Sequence, residues 1–116
     1  MQHFLAVFTG SAAAMTRWQA LSEAERQRRH AAGMQAWDAW VAAHAEAIVD
    51  VGTPLGRTKK VSPAGIADIH NALTAYTVVR AASHAAAAKL FEGHPHFTLF
   101  PGEGVEVMEC LPIPGV

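Results

Sequence analysis

Residues 2 to 9, QHFLAVFT, constrain the fold more than any other stretch of the chain. They are rich in strand formers, and Gly10-Ser11 ends them. Successive strand side chains point to opposite faces, so Phe4, Ala6 and Phe8 share one face and His3, Leu5 and Val7 the other. Both faces are largely apolar, whereas an antiparallel strand with one wet face would alternate apolar and polar residues. A strand of this kind needs cover on both sides.

Ser22 followed by Glu25 is a capping box, and Glu23 adds negative charge at the positive start of a helix. From there Met34, Trp37, Val41 and His44–Ala45 recur at helical spacing, which predicts one buried stripe. Trp40 falls beside that stripe, at a pocket edge or an interface. Gly33 lies inside the helix at a cost of about 1 kcal/mol relative to Ala, which points to a bend or a close backbone contact. Further strands are expected over 47–51, 57–62 and roughly 71–80. Gly52-Thr53-Pro54 closes the first, and Pro63-Ala64-Gly65 with a polar stretch joins the other two. Ser83 caps a second helix whose Ala85–Ala88 run lets it lie close to a sheet, with Gly93 as its C-terminal cap. A Pro/Gly loop over 94–104 then feeds a last strand over 105–110.

That order is a split β-α-β-β-α-β arrangement with an inserted hairpin-like strand: an α+β, ferredoxin-like fold in a single domain spanning 1–116. Both helices lie on one sheet face. The other face stays apolar, and a second copy of the chain is its economical cover, so a homodimer is expected.

Nine basic residues face ten acidic ones, which provides no electrostatic footprint for nucleic acid or an anionic membrane. Arg26, Arg28 and Arg29 sit beside Glu23 and Glu25 and read as a solvated helix face. The single cysteine, Cys110, allows no intrachain disulfide and fits a reducing, cytoplasmic setting. The stretch from Met1 to Met15 reads as a first strand rather than a leader, because no Lys or Arg precedes its apolar part. No window is long and apolar enough to be a membrane span.

Three stretches, FLAVF, VGTPLGRTKKVSPAGIADIHNALTAYTVV and KLFEGHPHFTLFPGEGVEVMECLPIPG, together resemble the YCII-related proteins. The resemblance covers nearly the whole chain and implies the dimeric α+β barrel. It also implies that some relatives act through a His–Asp pair, and one branch includes a dehydrochlorinating enzyme. This chain departs from that pair. The position of the helical histidine lands near Met34, with His30 one turn away, and His94 stands where the aspartate would precede Pro95.

Chemistry must therefore come from other residues. His94-Pro95-His96 is the most suggestive cluster, and with Glu106 and Glu109 on the following strand it forms the candidate catalytic set. The alternative is that the two histidines bond backbone near a helix end, and that the glutamates pair with Arg57, Lys59 or Arg80. Glu106 and Glu109 point to opposite faces of their strand, so at least one faces the helices or a dimer interior. His3, Tyr76 and Trp40 are the ligand-binding candidates, each with a core role as its alternative. Two histidines fall short of a metal site, and Gly52-Thr53-Pro54-Leu55-Gly56 lacks the spacing of a phosphate loop, so no metal or cofactor is expected. The expected function is metal-independent proton transfer or elimination on a small molecule. The alternative is a non-catalytic binding or accessory dimerisation module.

Overall fold

In the computed structural model, which describes residues 1–115, β1 (Gln2–Thr9) is a central strand. It pairs antiparallel with β5 (Leu73–Ala81) on one side and with β6 (Gly104–Glu109) on the other. A short β2 (Ile48–Asp50) extends the sheet beyond β5, giving the order β2-β5-β1-β6. With the hairpin of β3 (Thr58–Ser62) and β4 (Gly65–Ile69) set aside, that is the ferredoxin-like order expected from the pattern of elements.

Phe4, Ala6 and Phe8 are buried beneath the helices, where they join Val79, Ala81, Trp40, Ala87 and Phe91 in one core. Ala87, wholly buried, keeps α3 (His84–Lys89) close to the sheet, as the alanine run predicts. Ser83 caps α3 by accepting from the Ala86 amide at 3.1 Å. Ser22 caps the long helix α2 (Glu23–Ala43) in the same way, through the Glu25 amide at 3.1 Å.

Several elements differ from the sequence expectation. A helix α1 (Ala12–Gln19) precedes α2, started by Ser11, whose Oγ accepts from Ala14 N at 3.0 Å. Between them the chain breaks at Leu21-Ser22, and Arg26 Nη1 donates to the carbonyls of Gln19 and Leu21 to hold the corner. The joining stretch after Pro63-Ala64-Gly65 is itself a strand, β4 (Gly65–Ile69). It pairs with β3 (Thr58–Ser62) in a separate two-stranded sheet rather than with the main one. Its signal was weak because Val61 and Ile66, paired across the hairpin, are both exposed, so no buried face imposes a pattern. α3 is shorter than expected, and Gly93, at φ +67°, closes a turn beyond it. A single helical turn, α4 (Pro95–Thr98), forms inside the expected loop, with Pro95 at its first position.

The stripe of α2 holds at Trp37 and Val41, which pack against the core, and departs from its predicted setting at Met34 and Trp40. Trp40 belongs to the core and donates its indole N–H to the Leu90 carbonyl at 2.8 Å, while Met34 is 50% exposed. Gly33 makes the close contact that its place inside the helix predicts. A Cβ there would come within 2.6 Å of the Phe100 ring, so the bare backbone is what lets that ring lie on the helix.

On the sheet face away from the helices lie His3, Leu5 and Val7, with Tyr76, Val78 and Arg80 across on β5 and Glu106 and Met108 on β6. Leu5 and Val78 are half-buried and Met108 is exposed.

Candidate functional site

His94 and His96 do come together, and they do so in the protein interior. His94 is 0% exposed and sits among rings: Trp37 at 4.5 Å between centroids, Trp40 at 4.7 Å and Phe8 at 5.0 Å. It is the N-cap of α4, where its Nδ1 accepts from the His96 amide at 3.0 Å. An imidazole nitrogen that accepts carries no proton, so neutral His94 holds its proton on Nε2. That atom is buried with no nitrogen or oxygen partner. The faces of the surrounding rings offer it only a weak N–H···π contact.

His96 stacks on Phe8 at 5.1 Å and donates from Nε2 to the Thr9 carbonyl at 2.8 Å. Its own carbonyl accepts from Gly102 N at 2.9 Å. A Cβ at Gly102 would fall 2.3 Å from both that carbonyl oxygen and His96 Nε2, so only glycine permits the approach. Burial, then the neighbouring His96 and His44, pushes the His94 pKa down to about 4. Burial also lowers that of His96, with the Thr9 carbonyl opposing the shift. Both rings are therefore neutral at pH 7.

The expected glutamates are elsewhere. Glu106 pairs across from Val7 and points to the sheet face opposite the histidines, exposed. Glu109 shares the helix-facing side with Val105 and Val107 but lies at the far end of β6. There Gln2 Nε2 donates to it at 3.0 Å, and His84 stands 3.9 Å away. The four-residue set His94, His96, Glu106 and Glu109 is thus not assembled. The physical reason is the sheet itself: side-chain alternation puts Glu106 on the other side of it, and strand length takes Glu109 to the end. His3 pairs opposite Arg80 on the open face, also away from His94. Trp40 forms part of the cage around His94.

Tyr76 stands apart from the cage, at a cleft of about 330 Å³ between α2, the loop after β2 and the edge of β5. Met34, Trp37 and Asp38 form the helical wall, Gly52, Thr53 and Pro54 the loop wall, and Phe100 closes one end. The cleft is chiefly apolar; among its lining residues Asp38 is the one acidic side chain and Thr53 and Thr77 bear hydroxyls, while Tyr76 lines it from a strand position whose side chain alternates to the other sheet face. The Thr77 hydroxyl is occupied, donating to the Val51 carbonyl at 2.9 Å. Trp37 separates the two features: it lines the cleft and also packs edge-on against His94. Asp38 and Phe100 are not singled out by the sequence, and Trp37 only as a member of the buried helical stripe. Their signal was indirect, residing in Gly33, which has a place in a helix only if something such as Phe100 must approach it. Among the described residues no three metal-ligating side chains converge.

No family model matches the chain, and no curated protein does. A solved structure does: 5-chloro-2-hydroxyhydroquinone dehydrochlorinase (TftG) from Burkholderia phenoliruptrix, in complex with 2,5-dihydroxybenzoquinone. The similarity has a TM-score of 0.53 and 15% sequence identity, and covers 94% of this chain and 93% of that one. The two chains share a fold. It is the ferredoxin-like α+β fold that the order of strands and helices predicts. No helix is long and apolar enough to cross a membrane, among the described residues.

Proposed function

We propose that the chain binds a small, flat, largely apolar molecule in the cleft between α2 and β5 and carries out metal-independent proton transfer or elimination on it. The observation that carries this reading is the cleft's make-up: an apolar slot walled by Trp37, with one carboxylate, Asp38, at hand. Its volume is at the lower end of ligand pockets, roughly 300–1,000 Å³, and suits a single substituted ring. The shared fold adds support, because the structurally similar protein processes a chlorinated aromatic. In an elimination of that class, a base takes a proton from the substrate and chloride leaves with the bonding electron pair. Asp38 is the group placed to accept the proton. His94 and His96, expected in the catalytic set, act here as positioning residues that hold Trp37 from behind.

The second reading, a non-catalytic binding module, is favoured by the same lining. No histidine lines the cleft, and the two buried ones reach it only through Trp37. The first experiment is a thermal-shift and tryptophan-fluorescence screen of chlorinated and hydroxylated aromatics, with 5-chloro-2-hydroxyhydroquinone as the lead probe. Saturable binding is expected, weakened about tenfold by Trp37→Leu, since a well-placed aromatic contact contributes about 0.5–1.5 kcal/mol beyond its buried area. No saturable binding by any compound would remove both readings.

The chain acts as a homodimer in this proposal, with the open faces of two sheets packed together. Leu5, Val78 and Met108 provide the apolar contact. An interface burying more than about 1,000 Å² in total is expected. Light scattering at micromolar concentration should return twice the monomer mass of 12.4 kDa, and Val78→Asp should halve it. A monomeric wild-type chain would refute the arrangement.

A further inference from the structure

A second cleft, of about 290 Å³, lies on the other side of Phe100, between α1, the first turns of α2 and the segment after α4. Its lining differs in kind from the first. Arg17 and Arg29 supply two guanidinium groups, Trp18, Phe97 and Phe100 supply rings, and no acidic residue takes part.

The charges around it are unbalanced. Residues 17 to 29 hold four arginines and two glutamates, in a chain whose formal net charge is −1. The helix-surface pairing expected of this segment does form: Glu25 takes Arg28 at 2.6 Å and Arg29 Nε at 2.9 Å. That one carboxylate is shared between two arginines, and two guanidinium-bearing hydrogen bonds to it hold its pKa down to about 2. Arg29 commits only its Nε there, so its terminal nitrogens have no other protein acceptor among the described residues. Arg17 makes no ion pair or side-chain hydrogen bond among the described residues and is exposed at the end of α1. Arg26 is taken up by the carbonyls of Gln19 and Leu21. Two arginines with free N–H groups among the described residues therefore line one slot with aromatic rings.

We propose that this slot binds a small aromatic carboxylate, its ring beside Trp18 and Phe97 and its carboxylate between Arg17 and Arg29. Guanidinium and carboxylate match in geometry and pair through two parallel N–H···O bonds. The ring walls reward an aromatic body over an inorganic anion, and the volume admits one ring and its carboxylate. The site is independent of what occupies the first cleft.

The three tryptophans report on three places. Trp18 lines the second cleft, Trp37 the first, and Trp40 belongs to the core. Titration of the full chain with benzoate, followed by indole N–H resonances, should shift Trp18 saturably and leave Trp40 in place. Benzyl alcohol, the neutral control, should shift Trp18 little at the same concentrations. Arg17→Gln should weaken benzoate binding about tenfold, the loss expected of one charge-assisted pair. Arg17→Lys should recover part of it, because the charge stays and the fork is lost. Arg17 is exposed on a helix surface, so these variants should fold, as the unchanged Trp40 resonance will show. A response confined to Trp37, equal binding of benzyl alcohol, or full affinity in Arg17→Gln would overturn the proposal.

Discussion

Between pH 7 and pH 4 the folded chain is expected to lose about 3 kcal/mol of stability through His94 alone. The ring has an ordinary pKa of 6.5 in the unfolded chain and about 4 in the folded one, chiefly because burial disfavours the charged form. Above 6.5 both states hold neutral imidazole, and its contribution is complete. As the pH falls from 6.5 toward 4, the unfolded chain takes up a proton that the folded chain refuses, and stability drops until the folded ring is protonated as well. His96, lowered in the same direction, adds to the effect over the same range. The carboxylate held by Arg28 and Arg29 titrates lower, with Glu25 near 2, so it is spent mostly below this window. Urea midpoints followed by tryptophan emission at pH 7, 6, 5 and 4 measure the slope. His94→Phe keeps an aromatic ring in the cage and removes the titration, so its curve should be markedly flatter, with the remainder due to His96. An equally steep curve in His94→Phe would place the pH sensitivity elsewhere.

Replacing Asp38 by Asn should lower turnover of an elimination substrate about 100-fold or more, the usual contribution of a positioned general base. Affinity should change little, because Asn keeps the size and most of the polarity of the side chain. Chloride release from 5-chloro-2-hydroxyhydroquinone is the readout, with the dissociation constant measured separately on each variant. A fall in rate without a fall in affinity supports Asp38 as the proton acceptor. Binding with no chloride release by the wild-type chain selects the non-catalytic reading, and Asp38→Asn then has no rate to lose. A variant as fast as wild type would remove Asp38 from the chemistry. The two predictions probe different layers of the molecule, since His94 lies behind Trp37 and Asp38 in front of it.

The fold was legible in local pattern. The first strand was legible at its bounds, with Gly10-Ser11 ending it, and β1 lies between β5 and β6. Ser22 and Ser83 marked their helix starts to the residue, since a capping hydroxyl acts on an amide three positions on. The hairpin's second strand escaped notice because Val61 and Ile66 face solvent and leave no periodic trace. Met34 was predicted in the buried stripe and Trp40 beside it, and the reverse holds. Helical spacing fixes which residues share a face, not how far that face is turned, and tertiary packing against the core settles the turn.

The site was legible only in part. His94-Pro95-His96 could be picked out as a pair because its members are adjacent in sequence, and one helical turn does bring them together. Whether they met water or the core depended on contacts with Thr9, Trp37 and Gly102, all distant along the chain. Glu106 and Glu109 looked near because they follow closely in sequence, but the sheet they belong to lies between Glu106 and the histidines. The sequence alone determined the strands of the main sheet, the starts of α2 and α3 and the order in which they follow one another, because those follow from side-chain alternation and capping within a few residues. Only the tertiary structure decided that the histidines are caged, that Asp38 and Tyr76 share a cleft, and that Phe100 divides it from a second. Each of those depends on residues brought from separate elements to within contact distance, and no local spacing encodes where such elements meet.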